Sequence, residues 1–481
     1  MTARREISRQ EFLKITGGAA AEVAMGAILL PATASCQRGG GRETALITDF
    51  GAKGDGVHDD TEAILKAIDE IYDAGGGIVR VPEAEAFYKT TRAIDLRSDV
   101  GSPVRIVGEG DKSFIKNTAT GTEHEFAPVF RAGLLVAGTG PYSGPGQDFH
   151  PIAPAEKGSE GIKPNSGRYR PGDMLLIGSR ERYHHGDASE VWHPAFPQIT
   201  LVEGVDDGEI KLADPLLDDH PDSLVAVFKY GVSHGSIENL RFEHQVKHKR
   251  FAAVAGGGCY RMKFMDLSMT RGVSVFAANG YARCSLDRID GTVVRKGIEL
   301  AQWSHSTTVR NVTLRVLGGV PQTEMMLFAA EAAHRMVYEE CDVDVRGKAP
   351  DGLGAKFGIG GFLGGTRYNV MRRCSLRADK YDRGLSLVHV GDKPSVGNRI
   401  EDCEVIAHGA KQVIGVAGTK HVITYNRADG RGAEHSIVLG GNSSGCGATH
   451  NVVPHIVKDF GESNTVEGNA IEDVAGVGPR V

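Results

Sequence analysis

Aromatic residues make up only 6% of the 481 residues, a share that argues against a membrane β-barrel with its aromatic girdles. Positive charge is not in excess either. Lys and Arg total 55 against 61 Asp and Glu, for a formal charge of −6, which removes the broad cationic field a nucleic-acid binder uses. The most apolar run, Ile15 to Leu30, is too short and too rich in Gly and Ala to span a bilayer. The cysteines show no spacing of the metal-binding kind. From Phe251 onward the helical period is missing as well.

What replaces it is a repeat. Apolar segments begin at Ala252, Val273, Ile298, Met326, Phe357, Leu385, Val413 and Ile437, spaced by 21, 25, 28, 31, 28, 28 and 24 residues. A Gly-, Asn- or Ser-containing turn follows each, then a second alternating run such as Asn311-Val-Thr-Leu-Arg-Val or Cys341-Asp-Val-Asp-Val. Units of this length without helical period fit one coil each of a parallel β-solenoid in an all-β chain. A single coil cannot bury its apolar face, so stacking makes the core. The 64 glycines, about twice the average share of about 7%, suit the many turns.

Four regions follow. Residues 1–36 read as an export signal, which places the chain in the periplasm, on the outer membrane or outside the cell. Ser8 to Lys14 resembles a twin-arginine signal with Gln10 in place of the second arginine, and Pro31 to Cys36 resembles a lipoprotein cleavage site that would put a lipid anchor on Cys36. An ordinary cleavage site at Ala-Thr-Ala-Ser is the alternative. Residues 45–137 carry a capping helix and the first coils, 138–225 a loop-rich β insertion, and 226–481 the main coils. Within the insertion, Tyr183-His-His-Gly-Asp187 and Val191-Trp-His-Pro194 gather histidine and aromatics on a loop, suited to a sugar-contacting lid, a metal site or plain surface. Cys341, Cys374 and Cys403 recur at one place in successive coils, which predicts a column of free buried thiols rather than disulfides.

The segment Ala45-Leu-Ile-Thr-Asp-Phe-Gly-Ala-Lys-Gly-Asp-Gly-Val-His-Asp-Asp-Thr61 gives a strand and a glycine-rich turn, followed by an amphipathic helix from Thr61 to Tyr72 and the strand entry Gly75-Gly-Gly-Ile-Val-Arg-Val-Pro82. The run Phe50 to Pro82 resembles the opening of the pectate-lyase-like right-handed parallel β-helix superfamily, a scaffold shared by lyases, glycoside hydrolases, uronan epimerases and phage tailspikes. The resemblance implies the fold and leaves the reaction open. The superfamily's hydrolase signatures and the epimerase-type Asp-Pro-His are not found here, Ser233-His-Gly-Ser236 being a partial echo. Asp55, Asp59 and Asp60 are read as turn and capping residues rather than a catalytic cluster.

Alternation along each strand predicts an outward set of Glu299, Trp303, Glu331, Phe362 and Ser386, in which Trp303 and Phe362 either form a sugar platform or pack beneath the insertion. Two residues before the strand starts stand Arg250, Arg271, Lys296, Arg383 and Lys411, with Glu324 the exception, Arg295 beside Lys296, and Lys356 one place out of step. A cation repeating about every 5 Å would hold an extended polyanion; ordinary solvated corner residues are the alternative. On a uronic-acid polymer such a row serves β-elimination: cations, or a bound calcium, stabilise the enolate-like charge, and a crowded basic group takes the proton. His389, beside Asp392, and Lys296 or Lys356 are the candidate bases, while Glu331 and Glu299 would bind calcium or act as acid and base of a hydrolase. The expectation is a lyase acting on an anionic polysaccharide, with a glycoside hydrolase or a non-catalytic glycan-binding solenoid as alternatives, and with no nucleic-acid partner.

Overall fold

The structure, a computed structural model, describes residues 43–471 apart from 97–101, 120–127, 133–148, 181–195, 229–230, 245–251, 273, 294–295, 317–325, 331, 346–357, 380–382, 389–394 and 456. The signal-like segment with Cys36 and the histidine-bearing loop lie outside the described residues.

Two long parallel sheets, of 21 and 12 strands, run along the molecule, and successive coils pair strand on strand. The larger sheet divides at one bend per coil into two ladders, so each coil has three walls. This is a right-handed parallel β-helix. At the bend between ladders Asn311, Glu340, Arg373, Asp402, Tyr425 and His450 all take the left-handed conformation, with φ of 51° to 57°. A single left-handed residue turns the chain sharply and throws the next side chain inward.

The inward column that follows is Cys341, Cys374, Cys403, Asn426, Asn451 and then Asn469. The cysteine column read from the sequence is therefore present, with its thiols buried and free, and asparagine continues it. The backbone N–H of Cys403 donates to Asn426 Oδ1, that of Asn426 to Asn451 Oδ1, and that of Asn451 to Asn469 Oδ1, each at 2.9 Å. Each amide in turn donates to a carbonyl of the preceding coil, Asn426 to Ile400 at 2.9 Å and Asn451 to Ile423 at 3.0 Å. A second interior ladder runs down another corner. There Cys284 N donates to Thr307 Oγ1, Met336 N to Asn369 Oδ1, Asn369 N to Asn398 Oδ1, and Asn398 N to His421 Nδ1. These side chains satisfy the backbone donors that a corner would otherwise bury unpaired.

Between the corners the walls are apolar. In the twelve-stranded sheet, Val254, Phe276, Ile298, Leu327, Gly360, Leu385, Ile414 and Ile437 pair in one inward row. Gly256 needs to be glycine, since a Cβ there would stand 1.8 Å from the Ala132 carbonyl oxygen. The N-terminal end is closed by the helix Thr61–Asp73, whose Ile64, Ala67, Ile68 and Ile71 join the same core. Asp59 accepts from Thr61 N at 3.1 Å and Thr91 Oγ1 at 2.6 Å, and Asp60 accepts from Lys53 N at 2.7 Å, pinning the glycine-rich turn. Burial works against ionisation of Asp59, yet the hydrogen bonds from Thr61 and Thr91 hold its carboxyl below the usual range. No described helix is long and apolar enough to cross a membrane.

A six-stranded antiparallel insertion, with strands His150–Ile152, Gly161–Ile162, Met174–Ser179, Gln198–Asp206, Glu209–Leu212 and Ser223–Val227, stands on the flank. Its first long strand splits by alternation. Leu175 and Ile177 join the insertion's own core, while Met174 and Leu176 pack with Ile199, Phe228, Tyr260, Ala282 and Trp303 of the docking interface.

His421 tests the ladder. Burial lowers its pKa from 6.5 to about 4, so the unfolded chain takes up a proton first and the stability contributed by neutral His421 is lost as pH falls from 6.5 towards 4, on the order of 3 kcal/mol. His421→Asn, which repeats the residue of the neighbouring rungs, should flatten the fall in urea midpoint over that window while holding the midpoint near neutrality; an unchanged slope contradicts the assignment.

Candidate functional site

The outward row of the twelve-stranded sheet runs through Asp95, Arg131, Ala255, Ala277, Glu299, Phe328, Gly361, Ser386, Gly415 and Val438. Its charged residues lie in two ion pairs, the second made with Lys296 just before the strand. Arg131 Nη1 lies 3.2 Å from Asp95 Oδ1, and Lys296 Nζ lies 2.7 Å from Glu299 Oε2. The Lys296 ammonium also stands 5.7 Å from the Phe328 ring centroid. Lys296 and Glu299 are both about three-quarters buried, where a charge pair is screened far less than on open surface. Ala255 and Ala277 separate the two pairs, leaving a stretch of wall without bulky side chains.

The aligned cation row is corrected by the pairing register. Lys296 and Arg383 do share a position, each two residues before a member of the inward row, three coils apart, or about 14 Å at the strand spacing. The partner of Arg383 is Gln412, which pairs with His435, so Lys411 falls one residue out of the row. Arg271 belongs to the strand Lys263–Gly272 in the other sheet, where Glu243 pairs with it. Coil lengths differ, and each shift of one residue moves a side chain to the opposite face.

Of the two readings of the aromatics, the platform does not form: register turns Phe362 inward, and Trp303 packs beneath the insertion. Phe362 pairs with Ala329 and Leu387 in an inward row and is fully buried, 5.9 Å from the Tyr338 ring. Trp303, only 5% exposed, lies beneath the insertion against Phe228. Ser386 faces outward but is fully buried, with Gly361 and Gly415 as its strand partners. Arg250, Arg295, Glu331, Lys356, His389 and Asp392 lie outside the described residues, as do the side chains of Arg271 and Arg383. For calcium the fit is poor: Glu299 is engaged by Lys296, and among the described residues no group of three or more His, Cys, Asp or Glu could hold a metal ion.

A column of cations missed by sequence reasoning stands at the second corner. Arg261, Arg283 and Arg335 occupy left-handed positions there, with φ of 52° to 55°, and Ser306 takes the same position in the coil between the last two. The insertion neutralises them. Buried Asp214 takes Arg261 Nη2 at 2.9 Å, Arg283 Nε at 3.0 Å and the hydroxyl of Tyr260, while Arg335 reaches Asp218 at 2.9 Å. Arg367 lies over the Phe196 ring at 3.5 Å. His305 completes the dock by accepting from Ile199 N–H through Nε2 at 2.8 Å, and burial holds its imidazole neutral, well below the ordinary value. This column therefore anchors a domain. The signal for it was the recurrence of a residue before Met262, Cys284 and Met336 rather than before the strand starts.

A groove of about 260 Å³ opens on the larger sheet, lined among others by Asp111, Asp266, Ser268, Arg288, Asp290 and Asn311. Asp111 accepts from Ser268 Oγ at 2.6 Å, and Arg288 bridges Asp266 and buried Asp287.

No protein-family model matches this chain. Over 89 residues, 18% of the chain, it is 38% identical to alginate lyase 7 of Azotobacter vinelandii and, over the same length, 38% identical to mannuronan C5-epimerase AlgE2 of that organism. The matches span only 10% and 9% of those relatives. Among solved structures it is similar to the tailspike protein gp49 of Pseudomonas phage LKA1, with a TM-score of 0.51, 15% identity, and coverage of 89% of this chain and 78% of that one. The tailspike gp61 of Pseudomonas phage phi297 gives a TM-score of 0.52 at 13% identity over 90% and 76%. At such identities the likeness concerns the fold.

Replacing Asp214 by alanine leaves Arg261, Arg283 and Tyr260 without their shared acceptor. The expected loss is about 3 kcal/mol in denaturant unfolding, with new protease cleavage within residues 149–228; a variant within about 0.5 kcal/mol of the parent contradicts the docking role.

Proposed function

We propose that this chain, which folds as a right-handed parallel β-helix of the pectate-lyase-like kind, is an exported carbohydrate-active enzyme that cleaves an acidic, uronic-acid polysaccharide by β-elimination. The observation that carries the reading is the outward Lys296–Glu299 pair on the long wall, taken with the local likeness to proteins named for alginate lysis and mannuronan epimerisation. Elimination and C5 epimerisation share a first step, removal of the proton beside the sugar carboxylate. They part afterwards: in elimination the electron pair expels the 4-linked oxygen and leaves a double bond, whereas in epimerisation a proton returns from the other face.

That first step needs positive charge at the carboxylate, and it needs it fixed in place before the reaction begins. Lys296, held by Glu299 and Phe328, supplies a fixed ammonium, and Arg383 stands at the same position three coils on. In this reading Lys296 faces the carboxylate of the reacting sugar, and Arg383 holds a neighbouring one. Glu299 keeps the ammonium oriented. His389, Lys356 and Glu331 complete the proposal as base and acid candidates by their place in the sequence alone.

One observation favours a second reading. The groove beside Asp111, Asp266 and Asp290 gathers carboxylates, the residue type that glycoside hydrolysis uses.

Digestion of uronic-acid polymers should produce rising ultraviolet absorbance and fragments whose masses sum to that of the polymer, with no water added. Lys296→Gln with Arg383→Gln should lower kcat/KM by about a hundredfold or more in a protein that still unfolds cooperatively. Fragments heavier by one water each would replace elimination with the hydrolase reading, and intact polymer with inverted sugars would replace it with epimerisation.

A further inference from the structure

On the insertion, a pocket of about 440 Å³ opens between the loop 164–170 and the turn that joins the strands Gln198–Asp206 and Glu209–Leu212. Asn165, Ser166, Arg168, Tyr169, Arg170 and Val205 line it. The loop is built rather than slack. Asn165 N donates to Pro151 O at 2.9 Å, Arg170 N to Asp173 Oδ2 at 2.7 Å, and Tyr169 OH to Ser166 O at 3.3 Å, while His150 Nδ1 lies 2.7 Å from Ser166 Oγ. Burial pushes the Tyr169 hydroxyl up to about 12, so it stays protonated.

Arg261, Arg283, Arg288, Arg335 and Arg372 each hold a carboxylate, whereas Arg168 and Arg170 are exposed and neither guanidinium has an ion pair among the described residues. Two exposed guanidinium groups on one pinned loop present planar donors for a carboxylate, and the Tyr169 ring, which packs against the insertion's core and edge-on to His150, adds an aromatic part to the same lining. Asn165 and Ser166 add the hydroxyl-matching groups. Asp206 and Asp207, at the tip of the facing turn, are not among the lining residues.

We infer that this pocket is a second, non-catalytic subsite that takes one acidic sugar unit of the polymer, so that the insertion holds a strand of substrate while the wall of the β-helix acts on another part. The inference rests on the uronic-acid reading above and names a separate place where the same ligand chemistry is recognised.

The test uses the full chain, a short alginate oligosaccharide and its carboxyl-reduced neutral counterpart, with calorimetric titration and a cleavage assay run side by side. Arg168→Gln with Arg170→Gln removes the charge from exposed loop positions. It should weaken binding of the acidic oligosaccharide at least tenfold, raise KM on long polymer, and leave kcat at saturation and the weak response to the neutral sugar unchanged. Unaltered affinity and stoichiometry in the variant overturn the subsite. So does a parent protein that cleaves long acidic polymer yet shows no oligosaccharide site sensitive to these arginines, in which case the proposed reaction stands without it. A parent that neither binds nor cleaves acidic polymer removes the reaction and the subsite together.

Discussion

Everything in this fold depends on how a coil turns its corner without leaving backbone donors stranded in the core. One left-handed residue per corner makes the bend, and the side chain after it accepts the N–H of the coil before, as Asn426 does for Cys403 and Asn451 for Asn426. Asparagine suits the position because its amide can accept an N–H of the preceding coil and donate to a carbonyl of that same coil at once. Cysteine at 341, 374 and 403 fills the same space, with its thiol reaching a carbonyl weakly, as Cys403 Sγ does to Met371 O at 3.6 Å. The left-handed conformation is strained for residues such as Arg373 and Glu340, and it persists because the stacked ladders on both sides fix it.

The outside of the molecule follows from the same corners. A left-handed residue sends its own side chain outward, so a recurring arginine at one corner becomes a column, and this chain uses that column to seat the insertion. Asp214 is buried among three donors, an arrangement whose value lies in the cost of removing either side. With that corner occupied, the described surfaces that bear on ligand chemistry include the outward row around Lys296 and Glu299 and the acid-lined groove on the larger sheet.

Much of this was legible in the sequence. The coil repeat, the cysteine column and the capping helix could be read because each is a local pattern repeated, and local patterns survive variation in coil length. The face of each strand could not. Strand starts placed at Phe357 and Val413 differ by three and one residues from the paired positions Gly360 and Ile414, and such offsets sent Phe362 into the core and Lys411 out of its row. Trp303 was open to both readings, and only the docked insertion decides that it is covered. Arg168 and Arg170 carried no repeat signal at all, since their interest lies in the pocket they line on the insertion.

The central claim is that chemistry on the wall begins by removing the proton beside a sugar carboxylate. It is tested most directly by the rate on uronic-acid polymer carrying deuterium at that carbon. The account predicts slower cleavage of the deuterated polymer and no solvent oxygen in the product. An isotope effect of unity together with labelled oxygen from heavy-oxygen water in the new chain end would contradict it.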